Sequence, residues 1–265
     1  MSAPVPVAYG GHPDQFLELT LPAGGGPAPV AVVLHGGFWR AARGVELARP
    51  LAADLAGAGW AAVAVEYRRV GTGGGWPATL EDVAAALDAL PGLPEAARLD
   101  LTEVAVVGHS AGGHLAAWAA GRGRLPEGAP GAGPRVRVTA AVLQAGVLDL
   151  VRAADQRLGN GATQELLGGE PGEVPDRYAV ADPVRLLPTG ADVLCVHGTG
   201  DDVVPLEQSE RYAAAAGALG DRVAVQPVPG GHMELIDPSG EQWARAREWL
   251  GRRRAGRGGS TTLEP

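Results

Sequence analysis

Short apolar runs recur along the chain, and nearly every one is followed by a segment of helical character. Val30-Ala31-Val32-Val33-Leu34, Ala61 to Glu66, Glu103 to Val107, Val136 to Leu143 and Asp192 to Val196 have strand length. They lack the strict apolar–polar alternation of a strand with one wet face, so they read as strands covered on both sides. Val45 to Gly57, Pro77 to Leu90, Ala111 to Gly121, Leu206 to Leu219 and 238–254 supply helices between and after them, with Pro50 expected to perturb the first turns of its helix. Phe16 to Leu21 alternates with period two, as an early edge strand should. This order predicts an α/β fold: a mostly parallel twisted sheet with helices on both faces. With no internal repeat and no linker between two cores, residues 1–254 are expected to form one domain. A cap-like insertion of short helical patterns is expected at about 146–188, and a flexible tail at 255–265.

Such a sheet carries its chemistry on the loops at the carboxyl ends of its strands. One of those loops holds Gly108-His109-Ser110-Ala111-Gly112, a G-x-S-x-G pentapeptide. In a chain with 41 glycines among 265 residues the pentapeptide alone is weak evidence. Its setting is stronger, because a strand ends at Val107 and an Ala-rich helix begins just after Ser110. That strand–turn–helix arrangement is a nucleophile elbow, in which the glycines let strand and helix crowd together and the serine hydroxyl is held out above the sheet. Ser110 is then the nucleophile, with the Ala111 amide facing the reacting carbonyl. His35-Gly36-Gly37-Phe38-Trp39 follows the strand Val30–Leu34, where glycines let backbone amides approach a developing oxyanion.

Two further loops complete the set. Gly198-Thr199-Gly200-Asp201-Asp202 follows a buried strand, and either carboxylate can orient an imidazole or cap the next helix. Gly230-Gly231-His232 lies between a last strand near Val223 to Val225 and the last helix, so the chain order is Ser…Asp…His, with His232 as general base. Trp39, Trp76 and His109 are candidate substrate contacts, each with packing as the alternative. His109 and His114 have no carboxylate at ligand spacing, and no metal is assigned. Trp118, Trp243 and Trp249 read as core, Cys195 as a buried thiol, and Asp149 as structural.

A net charge of −8 argues against a nucleic-acid surface. No apolar run approaches the ~18–20 residues that cross a bilayer, and no secretory signal is read at the N-terminus, so a cytoplasmic location is expected.

The runs His35-Gly36-Gly37-Phe38-Trp39, Glu66-Tyr67-Arg68, Gly74-Gly75-Trp76-Pro77 with Asp82-Val83, and Gly108-His109-Ser110-Ala111-Gly112-Gly113-His114-Leu115 resemble the α/β-hydrolases grouped with kynurenine formamidases, prolyl oligopeptidase-like hydrolases and carboxylesterases. His197-Gly198-x-x-Asp201-x-x-Val204-Pro205 is similar to the acid-bearing loop of these families. The resemblance covers about residues 15–250. It implies a triad of Ser110, Asp201 and His232, and an oxyanion hole of the Gly37, Phe38 and Ala111 amides. Hormone-sensitive-lipase-like esterases carry glycine where Phe38 stands and formamidases carry an aromatic, which favours the formamidase-like side. The implied activity is hydrolysis of short-acyl esters or amides through an acyl-enzyme, without a cofactor, on a small-molecule substrate. The alternatives are arylformamidase action and a ligand-binding protein without catalysis. The sequence leaves the oligomeric state open.

Overall fold

The computed structural model describes residues 2–258, with side chains through Arg254. Eight strands form one sheet: β1 (Val5–Ala8), β2 (Phe16–Thr20), β3 (Ala28–Leu34), β4 (Ala61–Val65), β5 (Leu99–His109), β6 (Ala140–Gln144), β7 (Asp192–Gly198) and β8 (Val223–Val228). Their order across the sheet is β1-β2-β4-β3-β5-β6-β7-β8. β1 and β2 are antiparallel to their neighbours, and every later pairing is parallel. The expected mostly parallel sheet is the observed one.

The apolar runs divide between two cores with the two-residue period of a strand. On β3, Val30, Val32 and Leu34 face one core while Ala31 and Val33 face the other, and β4 and β5 divide in the same way. The second core is covered by α1 (Arg49–Gly57) and the last helix α8 (Glu241–Gly258), which inserts the fully buried Trp243. The first core is covered by α2 (Ala78–Ala89), α3 (Ala111–Gly121) and the helices that follow β6. Those are α4 (Leu150–Asp155), α5 (Leu158–Leu167) and α6 (Pro175–Ala181), all within the stretch expected to form a cap, and α7 (Glu207–Ala218) lies beyond β7. Trp118 is fully buried, whereas Trp249 is half-buried with the Arg253 guanidinium 5.3 Å from its ring.

Several boundaries differ from expectation. β5 begins four residues before Glu103 and ends two beyond Val107, and β6 starts only at Ala140. The helix expected over 45–57 divides into a 3-10 turn at Val45–Leu47 and α1, with Pro50 in the first turn of α1. Pro50 has no amide to donate, so a first turn is where it fits. β1 had no signal strong enough to be foreseen. α8 continues to Gly258, past the expected start of the tail at 255, and residues 259–265 lie outside the described residues. No described helix is long and apolar enough to cross a membrane.

Candidate active site

Ser110 occupies the turn between β5 and α3 with φ 56° and ψ −120°, a strained backbone conformation for a residue with a side chain. The surrounding glycines are required by contact rather than by flexibility. A Cβ on Gly108 would lie 2.0 Å from the Gly112 carbonyl oxygen, and one on Gly112 would lie 2.1 Å from that of Leu34. The strand and helix therefore touch backbone to backbone. The turn is fixed from outside as well, since the Ser110 amide donates to the Gln144 carbonyl at 2.8 Å on neighbouring β6.

The loop after β3 lies against this elbow. A Cβ on Gly36 would sit 3.1 Å from that of Ser110. Gly37, Phe38 and Trp39 then run through three successive positive φ angles of 119°, 53° and 55°. Two of these residues are not glycine, and such strain persists only where the surroundings impose it. Trp39 supplies one constraint: its indole N–H donates to His114 Nδ1 at 3.1 Å, and its carbonyl accepts from the Val70 amide at 2.8 Å. Phe38 supplies another, because its ring lies against Gly159, where a Cβ would come within 2.5 Å. The amides of Gly37, Phe38 and Ala111 donate to no acceptor among the described residues.

Glu66, just beyond β4, anchors the same loop from beneath. It is 5% exposed. Its Oε1 accepts from His35 Nε2 at 2.9 Å and from the Tyr67 amide at 3.0 Å, and its Oε2 accepts from the Val45 amide at 2.9 Å. His35 stacks on Tyr67 at 4.3 Å, and the Tyr67 hydroxyl donates to the His35 carbonyl at 2.7 Å. In the sequence Glu66 is only the end of a strand and the start of the run Glu66-Tyr67-Arg68. A carboxylate ending a wholly apolar strand beside a Gly-rich loop is the signal that could have marked it.

Opposite the elbow, His232 Nδ1 donates to Asp201 Oδ2 at 2.7 Å. Oδ1 of the same carboxylate accepts the amides of Val203 at 2.9 Å and Val204 at 2.8 Å. Burial alone would raise the pKa of Asp201, but the His232 hydrogen bond and the two amides outweigh it and hold the carboxyl below the usual range. The carboxylate is thus an acceptor for His232 Nδ1–H, and Nε2 of the same ring makes no hydrogen bond among the described residues. Asp202, the other carboxylate left open by the sequence, is exposed. His197 is buried behind the acid, bonded to the Val204 carbonyl and to Ser209 Oγ, both at 2.8 Å.

Ser110, His232, Gly37 and Phe38 line one cleft of about 400 Å³, with Val203 and the exposed Met233 at its side. In this conformation Ser110 makes no side-chain hydrogen bond among the described residues, although it shares the cleft with His232. Catalytic hydrogen bonds in unliganded sites are often long and tighten only around substrate.

Of the three candidate contact residues, one lines this cleft. His109 does, and its Nε2 donates to the His232 carbonyl at 2.9 Å. Burial pushes its pKa down to about 3, so the ring is neutral. Trp39 does not line the cleft: it is 1% exposed and committed to His114. Trp76 does not either, since it is half-buried against the first core. Trp39 stays in the core because it has apolar surface to bury and an indole N–H to satisfy there, and Trp76 packs part of its ring against the same core. His114 donates from Nε2 to the Ala181 carbonyl at 3.0 Å, with its pKa pushed down to about 4 by burial. Asp149 caps α4 by accepting the Arg152 amide at 2.9 Å, and Cys195 is a core thiol pushed up to about 12 by burial.

Residues 17–215 match the family described as BD-FAE. The chain belongs to this family. Among curated proteins it is 32% identical over 206 residues to a probable carboxylic ester hydrolase, LipM, of Mycobacterium tuberculosis, covering 76% of this chain and 46% of LipM. It is 30% identical over 257 residues to esterase LipC of the same organism, covering 87% of this chain and 60% of LipC. The chain thus spans about half the length of the curated relatives it matches. Among solved structures it is similar to a truncated carbohydrate esterase from gut microbiota, with a TM-score of 0.81 at 22% identity and 96% and 97% of the two chains covered. It is also similar to the propionate-bound esterase Est2 of Thermogutta terrifontis, with a TM-score of 0.76 at 24% identity and 99% and 97% covered. At these identities the structures establish the α/β-hydrolase fold. The resemblance to the esterase group drawn from the motifs agrees with the family and with the relatives.

Proposed function

We propose that this BD-FAE protein is a carboxylic ester hydrolase that cleaves short-acyl esters through a Ser110 acyl-enzyme. The observation that carries the reading is the 2.7 Å hydrogen bond from His232 to the buried Asp201 carboxylate, in a cleft that Ser110 also lines. In the proposed first step His232 Nε2 takes the Ser110 proton as the hydroxyl oxygen attacks the ester carbonyl. The amides of Gly37, Phe38 and Ala111 stabilise the oxyanion, and His232 returns the proton to the departing alcohol. Water activated by His232 then releases the acid. The relatives named as ester hydrolases support this class of substrate.

A cleft of about 400 Å³ supports a small acyl group. Each buried methylene adds about 0.8 kcal/mol to binding, and methylenes beyond the pocket add almost nothing. The value of kcat/KM on phenyl esters should therefore peak between formyl and butyryl and fall towards lauryl. Ser110→Ala should remove turnover by several orders of magnitude and abolish fluorophosphonate labelling with the fold intact by circular dichroism. Wild-type turnover by that variant would overturn the nucleophile assignment, and a maximum at long acyl chains would overturn the small-pocket argument. The arylformamidase reading rests on Phe38 alone as an aromatic wall of the cleft, and no cleavage of N-formylkynurenine would remove it.

A further inference from the structure

The ionisable side chains lining the active-site cleft are Arg40, Arg43, His109 and His232, and no carboxylate lines it among the described residues. The two arginines are not equivalent. Arg40 is neutralised by Glu165 of α5, with Nε to Oε2 at 2.7 Å, and that ion pair fastens the loop after β3 to the cap. Arg43 is exposed, and its guanidinium has no ion-pair partner among the described residues.

Its backbone and the start of its side chain are nevertheless fixed. A Cβ on Gly37 would lie 2.7 Å from that of Arg43 and 3.2 Å from its Cγ, so the aliphatic stem lies over Gly37. The Arg43 carbonyl accepts from Arg69 NH1 at 2.6 Å, and Arg69 is itself held by Asp14 at 2.9 Å and faces Glu66 at 3.5 Å. The network that anchors the oxyanion loop thus also anchors the backbone of Arg43. His109 is neutral, so it neither adds to this charge nor cancels it. The net charge of −8 belongs to the whole chain and is screened over about 8–10 Å at ordinary ionic strength, whereas the unpaired guanidinium acts within the cleft.

We infer that Arg43 is a specificity-determining residue that selects esters bearing a second, free carboxylate. The inference rests on the esterase reading of the same site. Arginine offers a planar fork of donors matched to a carboxylate, and such charge-assisted pairs are stronger than neutral ones. A carboxylate on either side of the scissile ester satisfies this chemistry, and the test separates the two sources.

The acyl-side pair of probes is monophenyl glutarate and phenyl methyl glutarate, with spontaneous hydrolysis subtracted. The alcohol-side pair is 4-acetoxybenzoate and methyl 4-acetoxybenzoate. In at least one pair the anionic ester should have the higher kcat/KM, by about five- to tenfold at low ionic strength, with the ratio falling as sodium chloride is added. The ratio, rather than either rate, is the readout, so a general loss of activity in a variant does not disturb it. Arg43→Gln should bring the ratio to one or below, and Arg43→Lys should retain part of it. A wild-type ratio of one or less in both pairs, or a ratio unchanged in Arg43→Gln, would overturn the inference while leaving the esterase reading intact. Hydrolysis of none of the four esters would overturn the esterase reading and this inference with it.

Discussion

Replacing Glu66 by alanine removes the acceptor of three hydrogen bonds at once. The donors left behind are His35 Nε2 and the amides of Tyr67 and Val45, at 2.9, 3.0 and 2.9 Å. A buried donor without a partner costs about 1–3 kcal/mol. The vacated space is lined by polar groups and can admit a water that satisfies part of the set, so the total falls near the lower end, at about 3–6 kcal/mol. For a chain of this size that is a fall in melting temperature of at least about 6 °C. Glu66→Gln keeps one oxygen for His35 and Tyr67 but turns an NH₂ towards the Val45 amide, so it should cost about 1–3 kcal/mol, as for one unsatisfied group. Because the proposed oxyanion amides of Gly37 and Phe38 belong to the same loop, kcat should fall alongside stability, and further in the alanine variant. Calorimetry and steady-state kinetics on phenyl acetate, performed on both variants, give the two readouts. A melting temperature within 2 °C of wild type together with an unchanged kcat in Glu66→Ala would refute the role of Glu66 as the anchor of this loop.

Three further outcomes are expected. Asp201→Asn should lower kcat by about 10⁴-fold, as in other triads that lose this acid, and Asp202→Asn should leave it unchanged; the reverse ranking in purified variants would show that the wrong carboxylate was chosen. Gly108→Ala forces a Cβ to 2.0 Å from the Gly112 carbonyl oxygen and should lower the melting temperature by at least about 4 °C, so a shift smaller than that counts against the contact. His109 and His114, with pKa values of about 3 and 4 in the fold, take up protons near 6.5 when unfolded, so they make stability fall as the pH drops from 6.5 towards 4. Burial raises Asp182 to about 7, which works in the opposite direction over the same range, so Asp182→Asn should steepen the loss by about 1.4 kcal/mol per pH unit in urea titrations between pH 4.5 and 6; parallel slopes would refute this coupling.

The fold was legible because the strands at the centre of the sheet are buried on both faces, and such strands leave continuous apolar runs. β1 was not, since Val5–Ala8 is mostly exposed and owes its conformation to pairing with β2 rather than to any pattern of its own. The proposed nucleophile, acid and base were legible because each sits on a Gly-containing loop directly after a strand, and that setting, rather than the glycines of a Gly-rich chain, sets them apart. A Cβ on Gly198 would lie 2.6 Å from the Gly230 carbonyl oxygen, which brings the acid loop and the histidine loop together. Trp39 and Trp76 do not line the cleft, because a position near a loop mouth says nothing about which way a ring turns. For Trp39 the answer came from His114, a residue 75 positions away whose Nδ1 accepts the indole N–H. Arg43 gave no signal at all, as an arginine in a surface loop is ordinary until the lining of the cleft is known.

The elbow and the proposed base are far apart in the chain, with 123 positions between His109 and His232, and His109 is what joins them. Its ring packs 4.4 Å from that of His232, and its Nε2–H donates to the main-chain carbonyl of the same residue. A hydrogen bond to the backbone fixes where the His232 loop lies and leaves the imidazole nitrogens to the proton exchange of the proposed mechanism. The contact requires His109 to keep one N–H, and a neutral ring here adds no repulsion to the imidazolium that the proposed mechanism forms on His232. Burial secures both by holding its pKa near 3, so the joint is unchanged across the neutral range. The residue immediately before the proposed nucleophile thus holds the loop of the proposed base in place.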